Sequence, residues 1–161
     1  MSYKSKRMIA ILLACVPLGI GYVVFALSTA APEGSDLRAW AIALLVFIGA
    51  SIVAVIIVQI VFSIVTSIGI TVKEADCDDK KAERLIEATV QDDERDRLIL
   101  SKANFAILVA IGVGFMAALA ALAFGVSAVL ALHIIFASAW IGEVVGNIMS
   151  IYYYEVGVSH A

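Results

Sequence analysis

The chain has 161 residues, of which 63% are hydrophobic and 16% are charged, and its formal net charge at pH 7 is −3. This apolar fraction, with a mean hydropathy of +1.04, exceeds that of ordinary soluble domains. The small negative charge, without a basic tail or a Lys/Arg cluster, excludes the usual features of a protein that binds nucleic acid.

Four apolar runs are long enough to cross a hydrocarbon core of roughly 30 Å as helices, which takes about 20 residues each. They cover residues 8–27, 40–70, 105–124 and 127–154. The sequence therefore predicts a single membrane domain over residues 1–161, an all-α four-helix bundle with a cytoplasmic helical loop at residues 71–104.

The first run is interrupted by Pro17, Gly19 and Gly21. Membrane helices tolerate both residue types, so the pattern predicts a mild kink and a close approach by another helix. An unwound, ion-coordinating segment would need carboxylates beside it, and none is present. The run also resembles a signal peptide, but its apolar stretch is longer than a signal core, so we interpret it as a span.

The second run carries its polar residues at separations that place them on one helical stripe. The stripe consists of Ser51, Gln59, Ser63, Thr66 and Ser67. We expect it to face protein rather than lipid, either as hydrogen-bonding contacts between helices or as one wall of a polar pore or pocket.

The loop over residues 71–104 contains ten acidic and seven basic residues. Asp78 or Asp79 is predicted to cap a short helix over residues 80–90, and a second helix beginning near Asp93 runs without a break into the third span.

The start of that second helix is a candidate docking surface for a cytoplasmic protein. It consists of Glu94, Arg95 and Arg97. The alternative is a solvated connector that binds no partner.

Basic residues predict the orientation, because cytoplasmic segments carry an excess of Lys and Arg. Three precede the first span and seven lie in the loop of residues 71–104, whereas the loop after the first span has only Arg38. The N-terminus, the long loop and the C-terminus are therefore expected in the cytoplasm.

The third span is rich in alanine and glycine, and small side chains let helix backbones approach closely. We therefore predict that this span is central in the bundle.

In the fourth span, polar residues recur every three or four positions and share one face, beside the small pair Gly142 and Gly146. This face consists of Glu143, Asn147, Ser150 and Tyr154.

A carboxylate within a span is costly in hydrocarbon and marks a candidate site. Because the second and fourth helices both enter from outside, we expect Glu143 to bond with Asn147 or with Gln59. The candidate intramembrane polar site consists of Glu143, Asn147, Gln59 and Ser63. Three interpretations stay open: a structural carboxylate that reaches water or Lys102, a proton or cation relay, and a small-ligand site.

His133 is rotated by roughly 80° from Glu143 around the helix, so it is predicted to be a packing residue rather than a relay partner. Neither a nucleophile with an adjacent base nor a phosphate-binding glycine loop appears. Cys15 and Cys77 show no metal-site spacing and no disulfide framework. We therefore expect no enzyme, no metal and no cofactor.

Two segments are characteristic in combination: the charged helix start, Asp93-Glu94-Arg95-Asp96-Arg97-Leu98-Ile99 with Ser101-Lys102-Ala103, and a span that carries Glu143 and closes on Tyr152-Tyr153-Tyr154. Over residues 92–154 they resemble small four-span prokaryotic membrane proteins of a domain-of-unknown-function family. The resemblance implies four spans, a plasma-membrane location and no assigned activity. Members of such families can sit beside helix-turn-helix regulators, which implies a partner or shared control. This chain lacks the basic residues expected after the tyrosines.

The sequence thus favours a non-enzymatic integral membrane protein with an assembly or regulatory role, exerted through its cytoplasmic loop and the polar face of the fourth span. The alternative is a small oligomeric channel or proton-coupled transporter that uses Glu143. Because 161 residues make a thin bundle with many small-residue faces, we expect a homo-oligomer in the lipid bilayer.

Overall fold

The structure is a computed structural model, and it describes residues 3–73 and 94–157. These ranges form four long α-helices and contain no strand. The helices are α1 (Tyr3–Ala26), α2 (Leu37–Lys73), α3 (Glu94–Ala123) and α4 (Ala128–Val156). Each is long and apolar enough to cross a membrane. The prediction of an all-α fold with four helices able to span a membrane is therefore confirmed.

The third helix begins earlier than the predicted third span. Residues 94–104, which the sequence assigned to the long loop, form the first turns of α3, and Glu94 and Asp96 lie in its first turn. Negative side chains there complement the positive end of the helix dipole. The predicted unbroken helix is confirmed from Glu94 onward, whereas the predicted helix over residues 80–90 lies outside the described residues.

Side-chain caps begin the two helices that follow the short connections. The Ala39 N–H donates to Asp36 Oδ1 over 3.0 Å, and the Leu130 N–H donates to Ser127 Oγ over 3.3 Å. Gly125, in the turn before α4, has a φ of 80°, which an L side chain would make strained. The sequence therefore specifies where α2 and α4 begin.

The helices lie in the order α2, α1, α4, α3. The most extensive interface joins α3 to α4, while α1 packs on both α4 and α2. The prediction that the Ala- and Gly-rich third span is central was wrong, because α4 has that place. The small residues of α3 serve one close contact with α4 rather than contacts with several helices.

That close contact uses the glycines predicted to permit it. A Cβ on Gly142 would lie 3.0 Å from Ala110 Cβ, and one on Gly146 would press on the Ile107 side chain. A Cβ on Gly114 would overlap Ser138. Without side chains at these three positions, the backbones of α3 and α4 come close enough for dispersion contacts along much of their length.

Polar contacts show which helix ends lie together. Ser5, which is fully buried, donates through Oγ to Glu155 Oε1 over 2.7 Å. Lys4 Nζ lies 2.6 Å from Asp96 Oδ2, and Arg7 Nη2 donates to Gln59 Oε1 over 2.8 Å. The start of α1, the start of α3 and the end of α4 thus share one end of the bundle, called here the loop end. The opposite end, with the two short connections, is the turn end.

Candidate functional site

A cleft of about 550 Å³ lies between α2 and α4, with α1 beneath it. It is within the usual size range of small-molecule sites, roughly 300–1,000 Å³. The cleft forms because α2 packs on α1 and contacts α4 only slightly. Its walls are apolar apart from a few side chains. The residues that matter below are Cys15 from α1, Ile48 and Ser51 from α2, and Phe136, Trp140 and Glu143 from α4.

Glu143 lies at the end of the cleft that is farther from the turn end of the bundle. Both α2 and α4 begin at the turn end, so residues equally far from the two helix starts lie at similar depth. The lining extends from Ala41 to Ile52 on α2 and from Leu132 to Glu143 on α4. Ser51 and Glu143 therefore lie at nearly the same depth in the bundle. Glu143 is about halfway along α4.

The carboxyl of Glu143 is half-buried and has a partner one helical turn away. Asn147 Nδ2 donates to Glu143 Oε1 over 2.9 Å and to the Glu143 carbonyl oxygen over 2.8 Å. Asn147 is only 6% exposed. The predicted Asn147–Glu143 bond is thus present, and a buried amide holds the carboxyl in place.

The remainder of the predicted polar face is buried. Ser150 is 2% exposed and Tyr154 is 9% exposed, and Ser150 Oγ donates to the Gly146 carbonyl oxygen over 3.0 Å. This polar face of α4 therefore contacts neighbouring protein, as the three- and four-residue spacing predicts. Of its four residues, only Glu143 borders the cleft.

No Lys, Arg or His side chain in the described parts of the chain bonds to Glu143. Lys102, which the sequence offered as a partner, instead lies over the Tyr153 ring, with Nζ 5.7 Å from the ring centroid. His133 Nδ1 donates to the Val129 carbonyl oxygen over 2.7 Å, and its ring packs edge-on against Trp40. His133 is thus a hydrogen-bonded packing residue, as predicted.

The two α2 members of the predicted site lie elsewhere. Gln59 is eight residues further along α2 than Ser51, about 12 Å closer to the loop end, where its Oε1 accepts from Arg7. Ser63 lies one turn beyond Gln59 and has an exposed side chain. The structure joins Glu143 to Asn147 and puts Ser51, rather than Gln59, at the depth of the carboxyl.

Trp140 is the cleft residue that the sequence analysis missed. Its Nε1 donates to the Cys15 carbonyl oxygen over 3.1 Å, and its indole lies where a Cβ on Gly19 would be. The close approach predicted near Pro17 is therefore confirmed, and the group that approaches is this indole. The available signal was its position three residues before Glu143, on the same side of the helix.

The candidate docking residues lie at the loop end. Glu94 and Arg97 are exposed. Arg95 Nη2 donates to the Tyr153 carbonyl oxygen over 3.4 Å, so Arg95 connects α3 to the end of α4. Arg95 is exposed as well, so all three candidate residues contribute to the charged surface at this end of α3.

Comparison of the chain with protein-family models, with curated proteins and with solved structures finds no significant match. The resemblance over residues 92–154 stays a prediction. A functional assignment therefore depends on the chemistry of the chain's own residues: one carboxyl, held by one amide, at the end of an apolar cleft between helices that are able to span a membrane.

Proposed function

We propose that this non-enzymatic, multi-pass protein moves protons or cations across a prokaryotic plasma membrane, with Glu143 as the group that carries them. The observation that supports the proposal is the setting of Glu143. The carboxyl borders a cleft near the middle of a membrane-spanning helix, and its bonding partner in the described residues is the neutral amide of Asn147.

The depth of Glu143 in the bundle determines the free-energy cost of its negative charge. Glu143 lies about 20 Å from either end of the 29-residue helix α4, which puts it within a hydrocarbon core of roughly 30 Å when the helix is centred in the membrane. An ionised carboxyl at this depth is costly unless a cation compensates its charge. A bound proton or a bound cation removes that cost. Exchange between the protonated carboxyl and the carboxylate with a bound cation is the elementary step of a relay.

A purely structural carboxyl would be expected to have a different setting. Buried ionised groups that serve only folding are paired with an opposite charge and surrounded by further hydrogen-bond donors. The partly buried Lys4–Asp96 pair at the loop end shows such a pairing of opposite charges. Glu143 has a cleft on one side instead, and this favours the relay over the structural interpretation.

Flux through liposomes tests the proposal. Protein reconstituted with an internal pH-sensitive dye is subjected to an imposed potassium diffusion potential, and the initial rate of internal pH change is measured. The wild type should exceed empty liposomes, Glu143→Gln should fall to the empty-liposome rate, and Glu155→Gln should match the wild type. Equal rates for wild type and Glu143→Gln would remove Glu143 from any transport path.

We also propose an orientation of the bundle in the membrane, with the loop end facing the cytoplasm. Lys4, Arg7, Arg95 and Lys102 lie at that end, as the excess of cytoplasmic basic residues predicts. In a Cys77→Ser background, a membrane-impermeant maleimide should label Ser35→Cys in intact cells and Arg97→Cys only after permeabilisation. The reverse pattern would invert the topology.

An assembly or regulatory role is the second candidate. The helices at the two ends of the row, α2 and α3, present large apolar side chains outward, such as Ile64 at 54% and Phe105 at 68% exposure. Lipid or a second copy can cover such a face, so the expected homo-oligomer stays part of this proposal, and exposed Glu94 and Arg97 suit a cytoplasmic partner. Sedimentation equilibrium in detergent tests the first point, and a monomer at all concentrations would contradict it.

A further inference from the structure

The cleft that Glu143 borders has the shape and the chemistry of a binding site. It has a volume of about 550 Å³ and is partly open between α2 and α4. Its walls are side chains such as Leu44, Ile48 and Phe136, which present hydrocarbon to whatever occupies the cleft. An occupant must therefore have a largely apolar body.

The charge of the occupant follows from Glu143. The other polar side chain in the lining is Ser51, whose hydroxyl donates to the Phe47 carbonyl oxygen over 2.8 Å. A small inorganic cation requires several oxygen ligands to replace its water, typically six or more for Ca²⁺, and this lining does not supply them. An organic cation has a weaker hydration shell and needs only one counter-charge. An anionic occupant would be repelled by the Glu143 carboxylate.

Trp140 adds a second group that favours a cation. It lines the cleft three residues before Glu143, and an indole face attracts positive charge within about 6 Å of its ring. Its bond to the Cys15 carbonyl oxygen and its packing on Gly19 hold the ring in place without a ligand. A ring fixed in advance lowers the entropy cost of binding.

From these observations we infer that the cleft between α2 and α4 binds a lipophilic organic cation, with its charge against Glu143 and Trp140 and its apolar body along the α2 wall. The inference rests on the proposed function and specifies the class of substrate: amphipathic monovalent cations that partition into the bilayer. Such a ligand reaches the cleft laterally, between the two helices.

Equilibrium dialysis of the purified full chain in detergent tests this with two probes of the same shape and opposite charge, tetraphenylphosphonium and tetraphenylborate. Tetraphenylphosphonium should bind and tetraphenylborate should not. Glu143→Gln should raise the Kd for tetraphenylphosphonium at least tenfold, which corresponds to about 1.4 kcal/mol. Glu155→Gln, the same change at the loop end of α4, should leave the Kd unchanged.

A second pair of variants tests the location without altering the carboxyl. Ile48 and Ile64 are both exposed residues of α2, and Ile48 lines the cleft whereas Ile64 lies outside it. Ile48→Trp should fill the cleft and weaken tetraphenylphosphonium binding at least tenfold, and Ile64→Trp should not.

The outcomes separate this inference from the proposed function. Equal binding of both probes, or binding that Glu143→Gln leaves unaltered, would mean that the cleft is an apolar groove for acyl chains, and would overturn the inference. Failure of tetraphenylphosphonium to bind to a protein that still moves protons would overturn the inference alone. Charge-selective binding without any flux would support the site and refute transport.

Discussion

The contact between Gly19 and Trp140 can be tested with a matched pair of substitutions in α1. Gly19→Ala and Gly21→Ala make the same chemical change two residues apart in one helix. Each should gain about 0.5–1 kcal/mol of helix stability, because alanine loses less backbone entropy on folding than glycine does. A Cβ at position 21 meets no other atom within 4 Å, whereas one at position 19 overlaps the Trp140 indole.

Relief of that overlap requires the indole to move and to lose its bond to the Cys15 carbonyl oxygen. Overpacking of this kind costs about 1–3 kcal/mol, and a hydrogen bond between membrane helices adds about 0.6 kcal/mol. Gly19→Ala should therefore be less stable than Gly21→Ala by about 1.5–3.5 kcal/mol. Circular dichroism during titration with sodium dodecyl sulfate in mixed micelles measures the difference.

The same pair reports on the cleft, because Trp140 is part of its lining. Gly19→Ala should lower tetraphenylphosphonium affinity, and Gly21→Ala should leave it unchanged. If the two variants are equally stable and bind the probe equally well, the indole does not pack on Gly19, and the argument for a fixed aromatic group in the cleft fails.

Two further predictions concern α4. Gly146→Leu should destabilise the bundle by about 1–3 kcal/mol in the same titration, because its side chain would press on α3, whereas Gly112→Leu faces open space and should not destabilise it; equal losses would contradict the α3–α4 contact. Asn147→Leu removes the donor to Glu143 and should reduce proton flux while lowering stability by only about 0.6 kcal/mol. A loss of stability without a change in flux would make Asn147 a packing residue alone.

The sequence predicted the elements of the fold because hydropathy and length are local properties. Four apolar runs of sufficient length specify four spans, and the caps at Asp36 and Ser127 that begin α2 and α4 were found only in the structure. The order of the helices in the bundle, by contrast, is not a local property of the sequence. The small residues of α3 indicate that some helix comes close, but not how many helices do, so the sequence alone did not reveal that α4 rather than α3 is central.

The site was predictable in part for a similar reason. Asn147 and Glu143 are one helical turn apart, so their bond follows from spacing. Pairing across helices depends on where each helix begins and how it is placed, and this puts Ser51 rather than Gln59 level with the carboxyl. The contact between Trp140 and Gly19 joins residues far apart in sequence, so the glycines of α1 predict a close approach but not which side chain makes it.

Both the proposed transport and the proposed cation site require the Glu143 carboxyl to be reached from the apolar cleft between α2 and α4. Dicyclohexylcarbodiimide, an apolar electrophile to which a carboxyl gives its proton and adds through oxygen, tests this on protein in native membranes, with mass spectrometry to locate the N-acylurea adduct. The account predicts modification of Glu143 and protection of Glu143 by tetraphenylphosphonium, with no adduct at Glu155. Modification of Glu155 with Glu143 unmodified would contradict the account.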